Sequence, residues 1–223
     1  MENYLRRGVR GVRHRVGTQL NRAAVSRAHD ALYLSDAWTE ATWLGAQALK
    51  NPLDLWVYQE IIVETRPELV VETGTYRGGS AFFLASICDL LGTGEVVSID
   101  VEQVRDDYPA HPRITYLGGR SSTDPDVVAD VQARAEGKPT LVILDSDHSQ
   151  AHVEAELAVY ADLVRVGGYL IVADYVFTQP GIELDGRRVA EGTAAGLVLW
   201  EVDGPVRVVG ASSNAALRRA LCA

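Results

Sequence analysis

Five short apolar runs recur along the middle of this chain, at 69–73, 95–100, 113–119, 140–146 and 168–174. Longer segments with helical spacing separate several of them, over 80–91, 124–136 and 150–165. Runs that are apolar at successive positions, rather than at every second one, suit strands buried on both faces. Strands of that kind alternating with helices predict an α/β fold, a mostly parallel sheet with helices on both faces. Two further runs, 196–202 and 205–212, flank Asp203-Gly204, a hairpin turn signal. They predict an antiparallel hairpin at the C-terminal edge of the sheet. Asn51-Pro52 opens a helical segment running to about Thr65, with Asn51 as cap and Pro52 at the first helical position. Residues 1–50 read as an N-terminal helical arm in two pieces, 1–35 and 36–50. Residues 51–223 read as the α/β domain.

Composition narrows the class. Of 223 residues, 47% are hydrophobic and 23% charged, which suits a globular domain with a sizeable core. No apolar run approaches the roughly 20 residues of a membrane span, and the basic start lacks the apolar centre of a signal peptide. Cys88 and Cys222 alone make no disulfide framework, so a cytoplasmic location is expected. The net charge of −9 is uneven. Seven arginines face Glu2 and Asp30 in the first thirty residues, giving that segment +5 and the remainder −14. No aromatics interleave those arginines as a nucleic-acid surface would prefer. The arm reads as a solvated or subunit-contacting helix, with a homo-oligomer through it as the expectation. Lys50 and Lys138 are the only lysines in an arginine-rich chain, which reads as base composition.

The stretch LVVETGTYRGGS, 69–80, carries the first chemistry. An apolar run ends in Glu72, a turn follows at Gly74, and Gly78-Gly79 lead into a helical segment after Ser80. Such strand–turn–helix units bring a ligand close to backbone and to a helix N-terminus. The next run, EVVSID, ends in Asp100, where a carboxylate can accept ribose hydroxyls. The pattern is not G-x-G-x-x-G, so a dinucleotide is disfavoured, and with it an NAD-dependent dehydrogenase. An acid ahead of the turn repels a pyrophosphate and welcomes an ammonium. S-adenosylmethionine (SAM), with an amino-acid end, a sulfonium and a ribose, fits better. The expected cofactor contacts are Glu72, Gly74, Thr75, Tyr76, Gly78, Ser80, Asp100, Val101, Arg120, Ser121 and Asp145.

In open α/β sheets ligands sit outside the carboxyl ends of the strands. Four of the five strand ends carry a carboxylate, Glu72, Asp100, Asp145 and Asp174. Asp145 and Asp174, with Asp147 as a third ligand, suit Mg²⁺, a hard cation preferring oxygen. Such a cation could hold an acceptor hydroxyl and ease its deprotonation. His148, three residues after Asp145, is the candidate general base, with His152 as its rival. Gly118-Gly119 with Arg120, Ser121 and Ser122 could wrap an adenine edge. Trp43, Trp56 and Tyr58 could roof an acceptor pocket, though a helix-to-sheet core contact is the stronger expectation.

These segments resemble a known family. ATWLGAQALKNPLDLWVYQEII, VVETGTYRGGSAFFLA, VVSIDV, HPRITYLGGRS, VILDSDHSQAHVEAEL and GGYLIVADY are similar to the cephalosporin hydroxylase / rhamnosyl O-methyltransferase family, over roughly 40–176. The resemblance implies a Rossmann-like SAM-dependent methyltransferase fold and a Mg²⁺ site. It implies methyl transfer to a hydroxyl of a sugar or natural product in secondary metabolism, antibiotic biosynthesis included. Glu72, Gly74, Gly78 and Asp100 match its cofactor positions, and Asp145 and Asp174 its metal positions. His148 stands where catechol-type relatives place a proton-accepting lysine. Many relatives carry two adjacent acidic or amide groups at the second metal strand; here the sequence is Ala173-Asp174-Tyr175. Two other readings accompany this one: a cephalosporin-hydroxylase-like component, and a SAM-binding accessory protein without catalysis.

Overall fold

The structure, a computed structural model, describes Ser35, 37–165, 168–173, 183–184, 187–188, 196–200 and 208–210. The arm at 1–34, the Asp203-Gly204 turn and Asp174 lie outside the described residues. Eleven strands and four α-helices are assigned among them. Strands β1 (Thr42–Trp43) and β2 (Ala46–Gln47) form a small hairpin. Helix α1 spans Pro52–Thr65. Then come β3 (Leu69–Thr73), α2 (Gly79–Leu91), β4 (Glu95–Asp100) and β5 (Ile114–Gly118). Helix α3 (Pro125–Ala135), β6 (Thr140–Leu144), α4 (Gln150–Tyr160) and β7 (Leu170–Val172) follow. Last are β8 (Glu183–Leu184), β9 (Arg187–Arg188), β10 (Gly196–Trp200) and β11 (Val208–Gly210).

Seven strands make one sheet in the order β11-β10-β7-β6-β3-β4-β5. Strands β3 to β7 are parallel. Strand β10 pairs antiparallel with β7, and β11 antiparallel with β10, which is the expected edge hairpin. Two apolar clusters lie on opposite faces. Val70, Val96, Leu141, Ile143 and Ile171 pack with Tyr58, Ile62 and Leu84 of α1 and α2. Val71, Val97, Val142, Leu144 and Val172 pack with Val131, Leu157 and Tyr160 of α3 and α4. Successive strand residues therefore feed opposite faces, and both must be apolar. This is the Rossmann-like layering the alternation predicts.

The chain runs from β3 outward to β4 and β5, then returns to place β6 on the other side of β3. That reversal is the switch point where such sheets open a crevice at their strand ends. Close backbone approaches build its walls. At Gly74, with φ +85, a Cβ would lie 1.9 Å from the Asp145 carbonyl oxygen. At Gly79 a Cβ would lie 2.0 Å from the Gln47 carbonyl oxygen, which seats the β1–β2 hairpin on the start of α2. At both points neighbouring backbone takes the place of the missing side chain, and both glycines still border the crevice.

The stretch 36–50 departs from the helical expectation. A single 3-10 turn, Ala37–Glu40, precedes the hairpin. Its tip is Leu44-Gly45, both at positive φ, a conformation no helix admits. Trp43 holds the hairpin down by an edge-on contact to Phe83, 4.9 Å between ring centres, and a 3.1 Å hydrogen bond from Nε1 to Ser86. Among the described residues no helix is long and apolar enough to cross a membrane.

Candidate functional site

A cavity of about 1010 Å³ opens at the carboxyl ends of β3, β4, β5 and β6. Each strand end contributes to it. Gly74, Thr75 and Tyr76 follow β3; Asp100 and Val101 follow β4; Ser121 and Ser122 follow β5; Asp145, Ser146, Asp147 and His148 follow β6. Ser80 and Gly79, from the first turn of α2, share the wall.

Asp100 ties two of these loops together. Its Oδ2 accepts the backbone N–H groups of Thr75 at 2.8 Å and Tyr76 at 2.9 Å, and its Oδ1 accepts that of Glu102 at 2.9 Å. A carboxylate has about four acceptor positions, so three are occupied and a single ligand hydroxyl can be added. The hold also keeps Tyr76 at φ 50, an uncommon conformation for a residue with a side chain.

Glu72 does not line the cavity. It is fully buried beneath the floor, where its Oε2 accepts a 2.8 Å bond from Ser98, and Ser98 meets the Thr75 hydroxyl at 2.8 Å. Its Oε1 has no hydrogen-bond partner. Burial pushes its carboxyl above the ordinary value of 4.5, while Lys50 and the Ser80 and Ser98 hydroxyls pull against that rise. Gly78 also lies off the wall, as the left-handed N-cap of α2 at φ 74. Arg120 faces away and pairs with Asp126 at 3.0 Å and Asp124 at 3.6 Å.

Asp145 points at Lys50 and forms an ion pair with it. Both side chains are close to buried, at 7% exposure for Lys50 and 12% for Asp145. The Asp145 amide is fastened by a 3.1 Å bond to the Thr73 hydroxyl. Asp147 accepts the Ser149 amide at 2.9 Å, and that bond holds its carboxyl below the ordinary value. Among the described residues no group of three or more His, Cys, Asp or Glu side chains is arranged to hold a metal. Asp174 lies outside the described residues.

His148 is exposed at the cavity mouth, before α4 begins. His152 is on α4, and its Nε2 faces Ser146 at 3.1 Å, Ser122 at 3.2 Å and buried Glu156 at 3.3 Å. The two rings are therefore placed differently, His148 on the exposed loop before α4 and His152 packed on the helix itself. Of the aromatics, Tyr58 is in the core, Trp43 is packed on α2, and Trp56 is 62% exposed. None of these three lines the cavity, whose aromatic wall residues are Tyr76 and Tyr108.

Sequence reasoning passed over several wall residues: Gln47, Leu49 and Lys50 from the segment before α1, and Gln103, Arg105 and Tyr108 after β4. Lys50 had a signal in the sequence, as one of two lysines in an arginine-rich chain directly before a helix start. The Tyr108 hydroxyl is buried without a hydrogen-bond partner.

The chain resembles known proteins in sequence and in fold. The family profile described as Rhamnosyl O-methyltransferase/CmcI matches residues 35–195. A protein of Mycobacterium tuberculosis (strain ATCC 25618 / H37Rv), named Rhamnosyl O-methyltransferase, is 36% identical over 157 residues, 68% of this chain and 64% of that protein. The chain thus spans less than two thirds of the length of that relative. An apo structure of CmcI is 28% identical with a TM-score of 0.50, covering 61% of this chain and 57% of that one. A structure of CmcI with SAH, at 23% identity and a TM-score of 0.50, covers 64% and 72% respectively and speaks to the fold alone. With its profile match over most of its length and the strand-end cavity that the match includes, the chain belongs to the Rhamnosyl O-methyltransferase/CmcI family.

Proposed function

We propose that the protein is a SAM-dependent O-methyltransferase acting on a hydroxyl of a sugar or natural product in secondary metabolism. One observation carries the reading. The cavity at the switch point is walled by the β3 turn and by Asp100, an acid at the end of the adjacent strand. This arrangement suits a ribose-bearing ligand whose other end is an amino acid. The family match and the relatives' name support methyl transfer to an oxygen.

In this reading Asp100 accepts one ribose hydroxyl, and Ser121, Ser122 and Val101 border the base. SAM, when bound, supplies an electrophilic methyl group on its sulfonium. The remaining work is done by the chain. The loops after β3, β4 and β6 hold the two reactants in line, which is the larger part of catalysis for such a transfer. His148, at the mouth, takes the proton of the acceptor hydroxyl. The described residues do not by themselves fit a divalent cation, since Asp145 faces Lys50 and no third ligand joins Asp147. A cation at Asp145 and Asp147 would need a further ligand, and Asp174 is the residue the sequence offers.

Calorimetric titration with S-adenosylhomocysteine (SAH), with and without Mg²⁺, tests this. Micromolar binding is expected, followed by methyl transfer to hydroxylated sugars or glycosides. No binding under either condition overturns the reading. Binding that strengthens with Mg²⁺ favours a cation at Asp145.

A further inference from the structure

We propose that Lys50 binds the carboxylate of the ligand's amino-acid end. The inference rests on the SAM reading and sharpens it. SAM and SAH bring an ammonium and a carboxylate on the same carbon. On this wall Asp145 is the strand-end acid that the ammonium can face. A carboxylate needs a cation or N–H donors instead, and burying it without them is costly.

The wall of the cavity offers three basic side chains with a permanent or near-permanent charge. Arg77 and Arg105 are 41% and 47% exposed, and both turn to Asp107. Their attraction for a ligand is screened by solvent and shared with that acid. Lys50 is different, with a side chain only 7% exposed that still borders the cavity. Here Asp145 forms an ion pair with it, and buried Glu72 lies within its field.

Its neighbours on the wall point the same way. Gly79 and Ser80 open α2, a helix of 13 residues, beside Lys50. The positive end of the helix dipole therefore adds to the ammonium, and both favour an anion. The tertiary reason is the close approach of Gly79 to the Gln47 carbonyl, which brings the segment carrying Lys50 against the helix start. An ammonium has three donors in a compact group, so bridging Asp145 and a ligand carboxylate is within its reach. The bound ligand's own ammonium then offsets its carboxylate, so the Lys50–Asp145 pair stays balanced.

The test compares two ligands. SAH carries the amino-acid end; 5′-methylthioadenosine keeps the thioether, ribose and adenine without it. Lys50→Met is expected to weaken SAH by roughly tenfold or more, the range for a hydrogen bond to a charged group. It is expected to leave 5′-methylthioadenosine within about twofold, since Lys50 would not touch it. Equal losses for both ligands, or an unchanged SAH affinity, overturn the proposal. A wild-type readout covers the case in which the variant does not fold. With two lysines in the chain, protein carrying ¹³C at the lysine ε-carbons gives one signal for Lys50 and one for Lys138. The Lys50 signal is expected to move with SAH and to stay with 5′-methylthioadenosine; a signal indifferent to both overturns the assignment. Wild-type protein that binds neither ligand overturns the SAM reading itself, and the role of Lys50 with it.

Discussion

At the scale of residues, two positions show how little freedom the cavity floor has. Gly74 combines φ +85 with a backbone carbonyl where its Cβ would be. Gly74→Ala is expected to cost about 3 kcal/mol or more, from positive-φ strain plus overlap. Gly92, at φ +69 with open space around it, separates the two effects. Gly92→Ala is expected to cost about 1 kcal/mol, strain alone. Urea unfolding of both variants checks this, and equal costs would remove the overlap from the account. Glu72 makes a pH prediction. Its folded pKa is raised above 4.5 chiefly by burial, so the folded state holds the proton more tightly than the unfolded one. Its contribution is full below the unfolded value and is lost as pH rises toward the folded one. Glu72→Gln escapes that loss. Its unfolding free energy, relative to wild type, is expected to grow from pH 4.5 toward neutrality; a constant or shrinking difference would contradict the assignment.

At the scale of elements, the helices that flank the site end by local devices readable in the chain. Helix α3 begins at Asp124, whose carboxylate accepts the Asp126 amide at 2.9 Å, with Pro125 next. Asp124→Ala is expected to cost about 1 kcal/mol and Asp124→Asn much less, because asparagine caps as well. The surface ion pair with Arg120 adds little to that figure. Thermal unfolding of the two variants distinguishes a cap from a charge. Helix α2 ends at Gly92 with φ 69, its amide bonded back to Asp89 at 3.0 Å. The segment before α1 behaves differently. The sequence of 36–50 suggests a helix, yet it forms a hairpin because Trp43 finds Phe83 and Ser86 on α2. Tertiary contact outweighs local preference in so short a piece.

At the scale of the molecule, the cavity is a product of strand order. Residues from 47 to 152 meet there because β3 sits between β4 and β6. His148 enters the site only through that assembly. His148→Ala is expected to lower turnover by roughly a hundredfold or more while SAH affinity holds within about twofold, the pattern of a lost proton acceptor. Single-turnover methyl transfer beside SAH titration checks it; unchanged turnover would shift the role to another group. His152 is poorly placed for that role, since its ring nitrogen is engaged with Ser146, Ser122 and Glu156.

The sequence by itself determined the parallel strands, the helices that pack on them and the sheet edge where the strand-end acids stand. Apolar runs, helical spacing and caps are local patterns, and strand-end acids are visible wherever a run stops. That is why β3 to β7, the four helices, and Asp100, Asp145 and His148 were legible in the chain. The tertiary structure alone decided what those residues face. Glu72 looks like a ligand residue in the chain, yet the parallel pairing of β3 with β4 buries it against Ser98. Gly74 and Gly79 look like room for a cofactor, and they border the cavity while neighbouring backbone fills the place of their missing side chains. Lys50 looks like a stray lysine, yet the hairpin before it folds over α2 and sets its ammonium against Asp145. Such contacts join positions far apart in the chain, and no local period or composition encodes them.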